Sequence, residues 1–280
     1  MNALEIKNLT KSYPGFTLDN LNLTLPSGCI LGLVGENGAG KSTTIKLILD
    51  MIRKDSGTVT VLGKDNGDSI RLTKEEIGVV MDEVGIPECL TAKQVGKVMK
   101  HTFRSWDDAE YSRLLQKLSL PDNKPFKEFS RGMKMKLGIA VAMSHHAKLL
   151  ILDEATSGLD PVVRDEVVEM FSDFTRDENH SILISSHIVS DLERLCDYVA
   201  FLHKGKLLLF EEKDRLLAQY GLIRCTAEEL KALPAESIKC QKENPYGMEA
   251  VVLRTALPSG ISVSPISIEE LFVFMVKERR

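Results

Sequence analysis

The sequence is short of the features that mark an oxidising compartment, a metal cluster or a lipid bilayer. Its five cysteines, Cys29, Cys89, Cys196, Cys225 and Cys240, are odd in number, scattered and never in CxxC spacing, which excludes a disulfide framework and a zinc site as expectations. They read as reduced thiols of a cytosolic chain. Nowhere do roughly 18 apolar residues run together, and the opening MNALEIKNLTKSY has no apolar signal-peptide core. If the protein acts at a membrane, another chain is expected to span it. Basic residues are not in excess either: the formal net charge is -4, which argues against a surface built for nucleic-acid phosphates. Internal repeats and low-complexity segments are absent.

What is present is an ordinary globular composition, 43% hydrophobic and 27% charged over 280 residues, enough for one large domain or one domain with an appendage. Alternation in ALEIKNLTKSY and LDNLNLTL around Pro14-Gly15 predicts an antiparallel β entry. CILGLVG, from Cys29, is instead a continuous apolar strand of the kind buried on both faces of a parallel sheet. It leads through ENGAGK into the helical pattern STTIKLILDMIRK, expected to end near Asp55 to Gly57. GTVTVLG and EIGVVM read as strands, and the segment from about Thr91 to Met143 as mostly helical. KLLILDEA and HSILISSH are short buried strands flanking the helix PVVRDEVVEMFSDFTRDE, with Pro161 suited to its first turn. DLERLCDYVAFLHKGKLLLF predicts a helix and then a hairpin about Lys204-Gly205. From about Glu211 apolar density falls and Pro234, Pro245, Pro258 and Pro265 interrupt the chain, which predicts a small α/β appendage. In it EEKDRLLAQYG is an amphipathic helix, GMEAVVLRT a strand and SIEELFVFMVKERR a closing helix with Leu271, Phe272, Phe274 and Met275 on its apolar side.

Chemistry concentrates at three places. GENGAGKS, Gly35 to Ser42, fits the phosphate-loop pattern with a strand before it and a helix after it. Backbone N–H groups of such a loop cradle an anion, Lys41 adds a point charge for the outer phosphates, and the Ser42 hydroxyl can ligate Mg²⁺. LLILDEAT supplies Asp153 to hold the metal through water and Glu154 to orient or deprotonate an attacking water. His187 ends the strand ILISS, where a neutral imidazole could meet a γ-phosphate or a water. His101, His145, His146, His180 and His203 have no such context. Finally, FSRGMKMK places Arg131, Lys134 and Lys136 at the start of a helix capped by Ser130, where cations are disfavoured, so an anion is missing from the local picture.

With GENGAGKS, LLILDEAT followed by SGLD, ISSH, and FSRGM upstream of the acidic strand, all in this order and spacing, the chain resembles the ATP-binding subunit of ABC transporters. The resemblance covers about residues 4–210, with FSRGM in the slot of that family's LSGGQ signature. It implies an α/β fold: a P-loop NTPase core with a parallel sheet, an antiparallel β subdomain and an inserted helical subdomain at about 83–148. The division expected is an ATP-binding domain over 1–210 and an accessory domain over 211–280. Carried over position by position, Tyr13 is the aromatic that stacks on adenine. Gly35, Glu36, Asn37, Gly38, Ala39, Gly40, Lys41, Ser42 and Thr43 are the phosphate loop. Asp153 is the metal-associated aspartate, Glu154 the catalytic base, His187 the switch histidine and Asp160 the SGLD residue that crosses a dimer interface.

The same resemblance implies that two such domains, identical or related, face each other head to tail around ATP and Mg²⁺. Each γ-phosphate then meets Ser130, Arg131, Gly132 and Met133 of the opposite chain, which would supply the missing anion. The partner implied is a separate membrane-spanning permease, with the chain peripheral at the inner face of the cell membrane. ECLTAKQVGKVM would lie nearest that permease.

Two positions depart from the family pattern. The signature reads S-R-G-M, as in bacterial exporters whose partner is an ABC-2-type chain, a group whose proline-then-helix ending SPISIEELFVFM also resembles. Asp82 stands where the family places a glutamine that reaches metal and water, which puts a third carboxylate beside Asp153 and Glu154. The function implied is ATP hydrolysis powering transport, with export as the direction. The alternatives are a soluble ABC-type ATPase acting as a mechanical clamp on DNA or ribosomes, and an ATP-sensing module. The acidic charge and the lack of a coiled-coil insertion or second nucleotide domain weigh against the clamp, and Glu154 with His187 against the sensor. NKPF at Asn123 lacks the aspartate that a guanine-reading motif needs.

Overall fold

The structure is a computed structural model and describes residues 1–67 and 73–277. Strands β1 (Asn2–Tyr13) and β2 (Phe16–Pro26) pair antiparallel across Pro14-Gly15, the expected β entry, with Gly15 in the left-handed region at φ 84°. Together with β4 (Ser56–Val61) and β5 (Lys64–Asp65) they make a sheet in the order β2-β1-β4-β5.

A second sheet holds β3 (Ile30–Gly35), β6 (Ile77–Val80), β7 (Leu149–Asp153), β8 (Ser181–Ser186), β9 (Tyr198–His203) and β10 (Lys206–Glu212) in the order β10-β9-β3-β8-β7-β6. All its pairings are parallel except the β9–β10 hairpin. Every residue of β3, β7 and β8 is buried, as continuous apolar runs in a covered parallel sheet require. Because these strands run the same way, their C-terminal ends share one edge, and the loops that leave that edge carry the candidate chemistry.

Helix α1 (Lys41–Ile48) is shorter than its sequence pattern, which continues to Lys54. Asp50 adopts φ 51°, Asp50 N donates to Leu47 O at 3.2 Å and Met51 N to Lys46 O at 2.9 Å. That left-handed cap satisfies the last carbonyls and stops the helix despite the apolar periodicity beyond it.

The segment between β6 and β7 is helical as expected, in three pieces with side-chain caps: α2 (Ala92–Thr102) behind Thr91, α3 (Asp108–Lys117) behind Asp107 and α4 (Arg131–Met143) behind Ser130. Helix α4 lies directly on β6: a Cβ added at Gly78 would sit 2.4 Å from the Ala142 carbonyl oxygen. Only glycine allows that approach.

Beyond β7 come α5 (Pro161–Phe174), α6 (Val189–Leu195) and α7 (Lys213–Gln219). The C-terminal part has α8 (Ala227–Lys231), a three-stranded sheet of β11 (Tyr220–Cys225), β12 (Ile238–Asn244) and β13 (Gly247–Leu253) in the order β11-β13-β12, and α9 (Ile268–Lys277). The last three residues of the expected closing helix lie outside the described residues. On α9, Leu271, Phe272 and Phe274 are buried with Ile268 and Val276, while Met275 is only partly covered. This face packs on α6 and β12, and Phe272 meets Phe201 of β9 edge-on at 5.3 Å between ring centres. Leu216, Leu222, Cys240 and Val251 join the same buried cluster as Phe201 and Leu192, so the appendage shares its core with the larger sheet.

All five cysteines are free thiols. Among the described residues no helix is long and apolar enough to cross a membrane.

Candidate active site

The phosphate loop leaves β3 at Gly35 and closes into α1 through Gly38 at φ 80° and Gly40 at φ 114°, conformations that L side chains rarely adopt. Ala39 N donates to Glu36 O at 3.0 Å, and Gly205 N donates to Ala39 O at 2.9 Å, which ties the loop to the β9–β10 turn. A cavity of about 590 Å³ lies between residues 82–88 and the start of α4, while the phosphate loop borders one of about 530 Å³. The latter is lined by Gly15, Phe16, Glu36, Asn37, Gly38, Gly40, Lys41, Ser42, Thr43, Asp82 and Glu154. It holds residues from four separated parts of the chain.

Tyr13 is not in that lining. It faces Phe16 in the β1–β2 register, is 41% exposed and has Lys11 Nζ 5.4 Å from its ring centre. Phe16, which sequence reasoning passed over, lines the cavity, and its Cζ lies 3.1 Å from where a Cβ on Gly40 would be. The signal was available in the tight Tyr-Pro-Gly-Phe turn, which presents two aromatics but does not say which one faces inward.

The charges are arranged around Lys41 and Glu154. Lys41, 6% exposed, donates to Gly35 O at 2.8 Å and stands 3.3 Å from Glu154 Oε1. The other carboxylate oxygen of Glu154 is 2.6 Å from His187 Nδ1 and accepts from His187 N at 3.3 Å. Glu154 adopts φ 56°, a conformation that costs a non-glycine residue roughly 1–3 kcal/mol, and its N–H is held by Ser185 O at 3.1 Å and Ser185 Oγ at 3.2 Å. Ser185 Oγ also donates to the buried Asp153 carboxylate at 2.5 Å. Sequence reasoning missed Ser185 as well; its place in ISSH just before His187 was the only hint. In this state cation and carboxylate neutralise each other, and a phosphate that takes Lys41 leaves Glu154 free to accept a proton.

Asp153, Asp82 and the exposed Ser42 hydroxyl offer oxygen donors only. Among the described residues no three His, Cys, Asp or Glu side chains converge on a common point. An oxygen set with no preformed cage suits a hard cation that arrives with phosphate ligands of its own.

The basic helix start is resolved inside the chain. Ser130 Oγ accepts from Met133 N at 3.3 Å as the N-cap. The Arg131 guanidinium donates to Asp82 Oδ1 at 2.8 Å, Lys134 Nζ lies 5.0 Å from the Phe126 ring centre and Lys136 Nζ donates to Leu118 O at 3.2 Å. The expectation that a nucleotide alone would balance these cations is therefore revised: Asp82 already balances Arg131. Asp160 caps α5 by accepting from Val163 N at 3.1 Å. None of Ser130, Arg131, Gly132, Met133 or Asp160 lines the phosphate cavity of its own chain.

A glycine phosphate loop between a buried parallel strand and a helix, with an acidic residue pair at the end of another strand of the same sheet, defines a P-loop NTPase. The family model for the ABC transporter matches residues 18–157. The lantibiotic transport ATP-binding protein SrtF of Streptococcus pyogenes is 39% identical over 214 residues, 75% of this chain and 91% of that protein. The ABC transporter ATP-binding protein YhcH of Bacillus subtilis (strain 168) is 31% identical across 99% of this chain and 97% of its own length. A solved structure of an ATP-binding subunit of an ABC transporter superposes with a TM-score of 0.71 at 28% identity, covering 78% of this chain and 92% of that one. The chain belongs to the ABC transporter family, as an ATP-binding subunit that hydrolyses ATP. The clamp and sensor alternatives find no counterpart among these relatives.

Proposed function

We propose that the chain acts as half of a pair, two copies or one copy with a related ATPase chain, that closes head to tail around ATP and Mg²⁺. The observation that carries this reading is the lining of the phosphate cavity. It is made by Gly15, Phe16, the loop, Asp82 and Glu154, while the signature residues of the same chain stay outside it. Only a second chain can bring Ser130, Arg131, Gly132 and Met133 to the opposite side, with Asp160 crossing beside them.

In this reading the backbone N–H groups of Gly35 to Thr43 hold the phosphates and Phe16, with Tyr13 next to it, offers an aromatic face to adenine. Lys41 leaves Glu154 for the outer phosphates. Ser42 and Asp82, which line the cavity, and Asp153 at the end of β7 would hold Mg²⁺, which would supply positive charge to the outer phosphates. Glu154, released from Lys41, takes the proton of the attacking water, and His187 keeps Oε2 in place. Closure and reopening pass to a separate membrane-spanning chain.

The cleft of about 590 Å³ between Asp82–Glu88 and α4, with Glu83 and Glu88 at its rim and Phe126 and Phe129 in its wall, is the surface we assign to a short segment of that chain. The S-R-G-M variant and the SPISIEELFVFM tail support export through an ABC-2-type partner, with residues 211–280 as an accessory part and the whole peripheral at the inner membrane face.

The test is Glu154→Gln, which removes the base but keeps the shape. With ATP it should elute as a dimer on size exclusion and fail to hydrolyse. A monomer that still turns over ATP refutes the assignment. Co-purification from membranes identifies the spanning chain.

A further inference from the structure

The two departures of this sequence from its family's pattern touch each other. Asp82, two residues beyond the end of β6, lines both the phosphate cavity and the neighbouring cleft, and Arg131 opens α4 on the far side of that cleft. Their 2.8 Å contact joins the sheet edge to the helical segment. The arginine is seated rather than merely near: its Cδ and Nε lie 3.1 Å from where a Cβ on Gly158 would be, and Gly158 is in the left-handed region at φ 73°. Glycine there makes room for the stem that carries the guanidinium to Asp82. No acidic residue lies in the first turn of α4, so Asp82 is the counter-charge that this helix start needs.

We propose that Arg131 is a positioning residue for Asp82, holding one oxygen of its carboxylate at the rim of the phosphate cavity until a nucleotide-borne divalent cation draws it away. The inference rests on the reading that residues 35–43 receive the phosphates of ATP. The pair is well suited to release. Its side chains are 59% and 51% exposed, so solvent screens it and it is a weak contact, easily exchanged for a metal ion of twice the charge. A buried pair in the same position would be a permanent clamp. Arg131 thereby makes the recruitment of Asp82 to the nucleotide site and the freeing of the α4 N-terminus one event. Once released, the guanidinium stands at the end of α4 that the dimer reading turns toward a phosphate.

The experiment is equilibrium binding of radiolabelled ATP to the full chain at increasing MgCl₂, in about 0.3 M salt, where the screening length of about 6 Å suppresses through-space effects of distant charges. Arg131→Ala removes the competitor and should lower the Mg²⁺ concentration for half-maximal ATP binding by about two- to fivefold, the range expected for an exposed ion pair. Arg131→Lys should return most of the wild-type value. In an Asp82→Asn background Arg131→Ala should leave the half-saturation point unchanged. An equal shift in both backgrounds, or none in either, overturns the proposal while leaving the ATP site intact. Lys41→Ala separates the two levels: ATP binding that does not depend on Lys41 overturns the reading of the loop, and this proposal with it.

Discussion

His187 Nδ1 lies 2.6 Å from Glu154 Oε2, while the other oxygen of the same carboxylate faces Lys41 Nζ at 3.3 Å. The carboxylate is thus shared between a group that phosphate will remove and a group that can stay. His187→Ala should leave ATP affinity within about twofold and lower turnover by about 10²-fold, the scale of a misplaced general base. Phosphate release and equilibrium ATP titration check this. A loss confined to affinity means that His187 serves binding instead.

Ser130 caps α4 with its hydroxyl and stands outside its own chain's phosphate cavity. Ser130→Arg should therefore leave ATP binding by the isolated chain largely intact while abolishing ATP-dependent dimerisation and hydrolysis. The lost cap costs about 1 kcal/mol, too little to unfold the chain. ATP titration beside size exclusion separates the two effects.

Asp82 adds its carboxylate to the cavity that Glu154 also lines. Without metal it repels the triphosphate. Asp82→Gln should bind ATP more tightly in EDTA than the wild type does, and should show weaker dependence on Mg²⁺ and altered turnover. Equal rates and equal Mg²⁺ titrations for the two proteins rule this out.

Phe272 of α9 packs edge-on against Phe201 of β9. Truncation to alanine should cost about 3 kcal/mol. That lowers the Tm by about 6–12 °C. Because both rings belong to one buried cluster, the loss should appear in a single transition of the whole chain. A separate early transition of the C-terminal part contradicts the shared core.

His145 is buried, stacks on Phe103 at 4.0 Å between ring centres, and has Nδ1 3.1 Å from Glu75 O. Burial pushes its pKa below the ordinary histidine value. The unfolded chain then binds the proton more readily than the folded one, so the stability tied to neutral His145 is complete above about pH 6.5 and is lost as pH falls through the lowered folded value. Urea midpoints should drop between pH 7 and pH 5, and His145→Gln should flatten that slope. Glu75, held below the usual carboxylate range chiefly by the Ser105 N–H, acts only at more acid pH and does not interfere.

The legible parts of the sequence were the ones set by near neighbours. The strand before GENGAGKS, the tight glycine loop within it, the cap Ser130 and the acidic end of β7 each follow from steric and hydrogen-bonding rules that act over a few residues. Helix α1 shows the limit of periodicity, since one left-handed residue at Asp50 outweighed the apolar pattern that continued past it.

What the sequence by itself determined was therefore the phosphate loop, its carboxylates, the α/β class and the ATPase family. Only the tertiary structure decided that Phe16 rather than Tyr13 faces the cavity, that α9 closes onto β9, and that Arg131 finds its counter-ion at Asp82, 49 residues away. The reason is physical: local conformation is chosen by a residue's immediate neighbours, whereas these contacts depend on the order of strands in the sheet and on how α4 lies across β6. A lone cation at a helix start and a lone carboxylate at a strand end look like two anomalies along the chain, and folding brings them together as one ion pair.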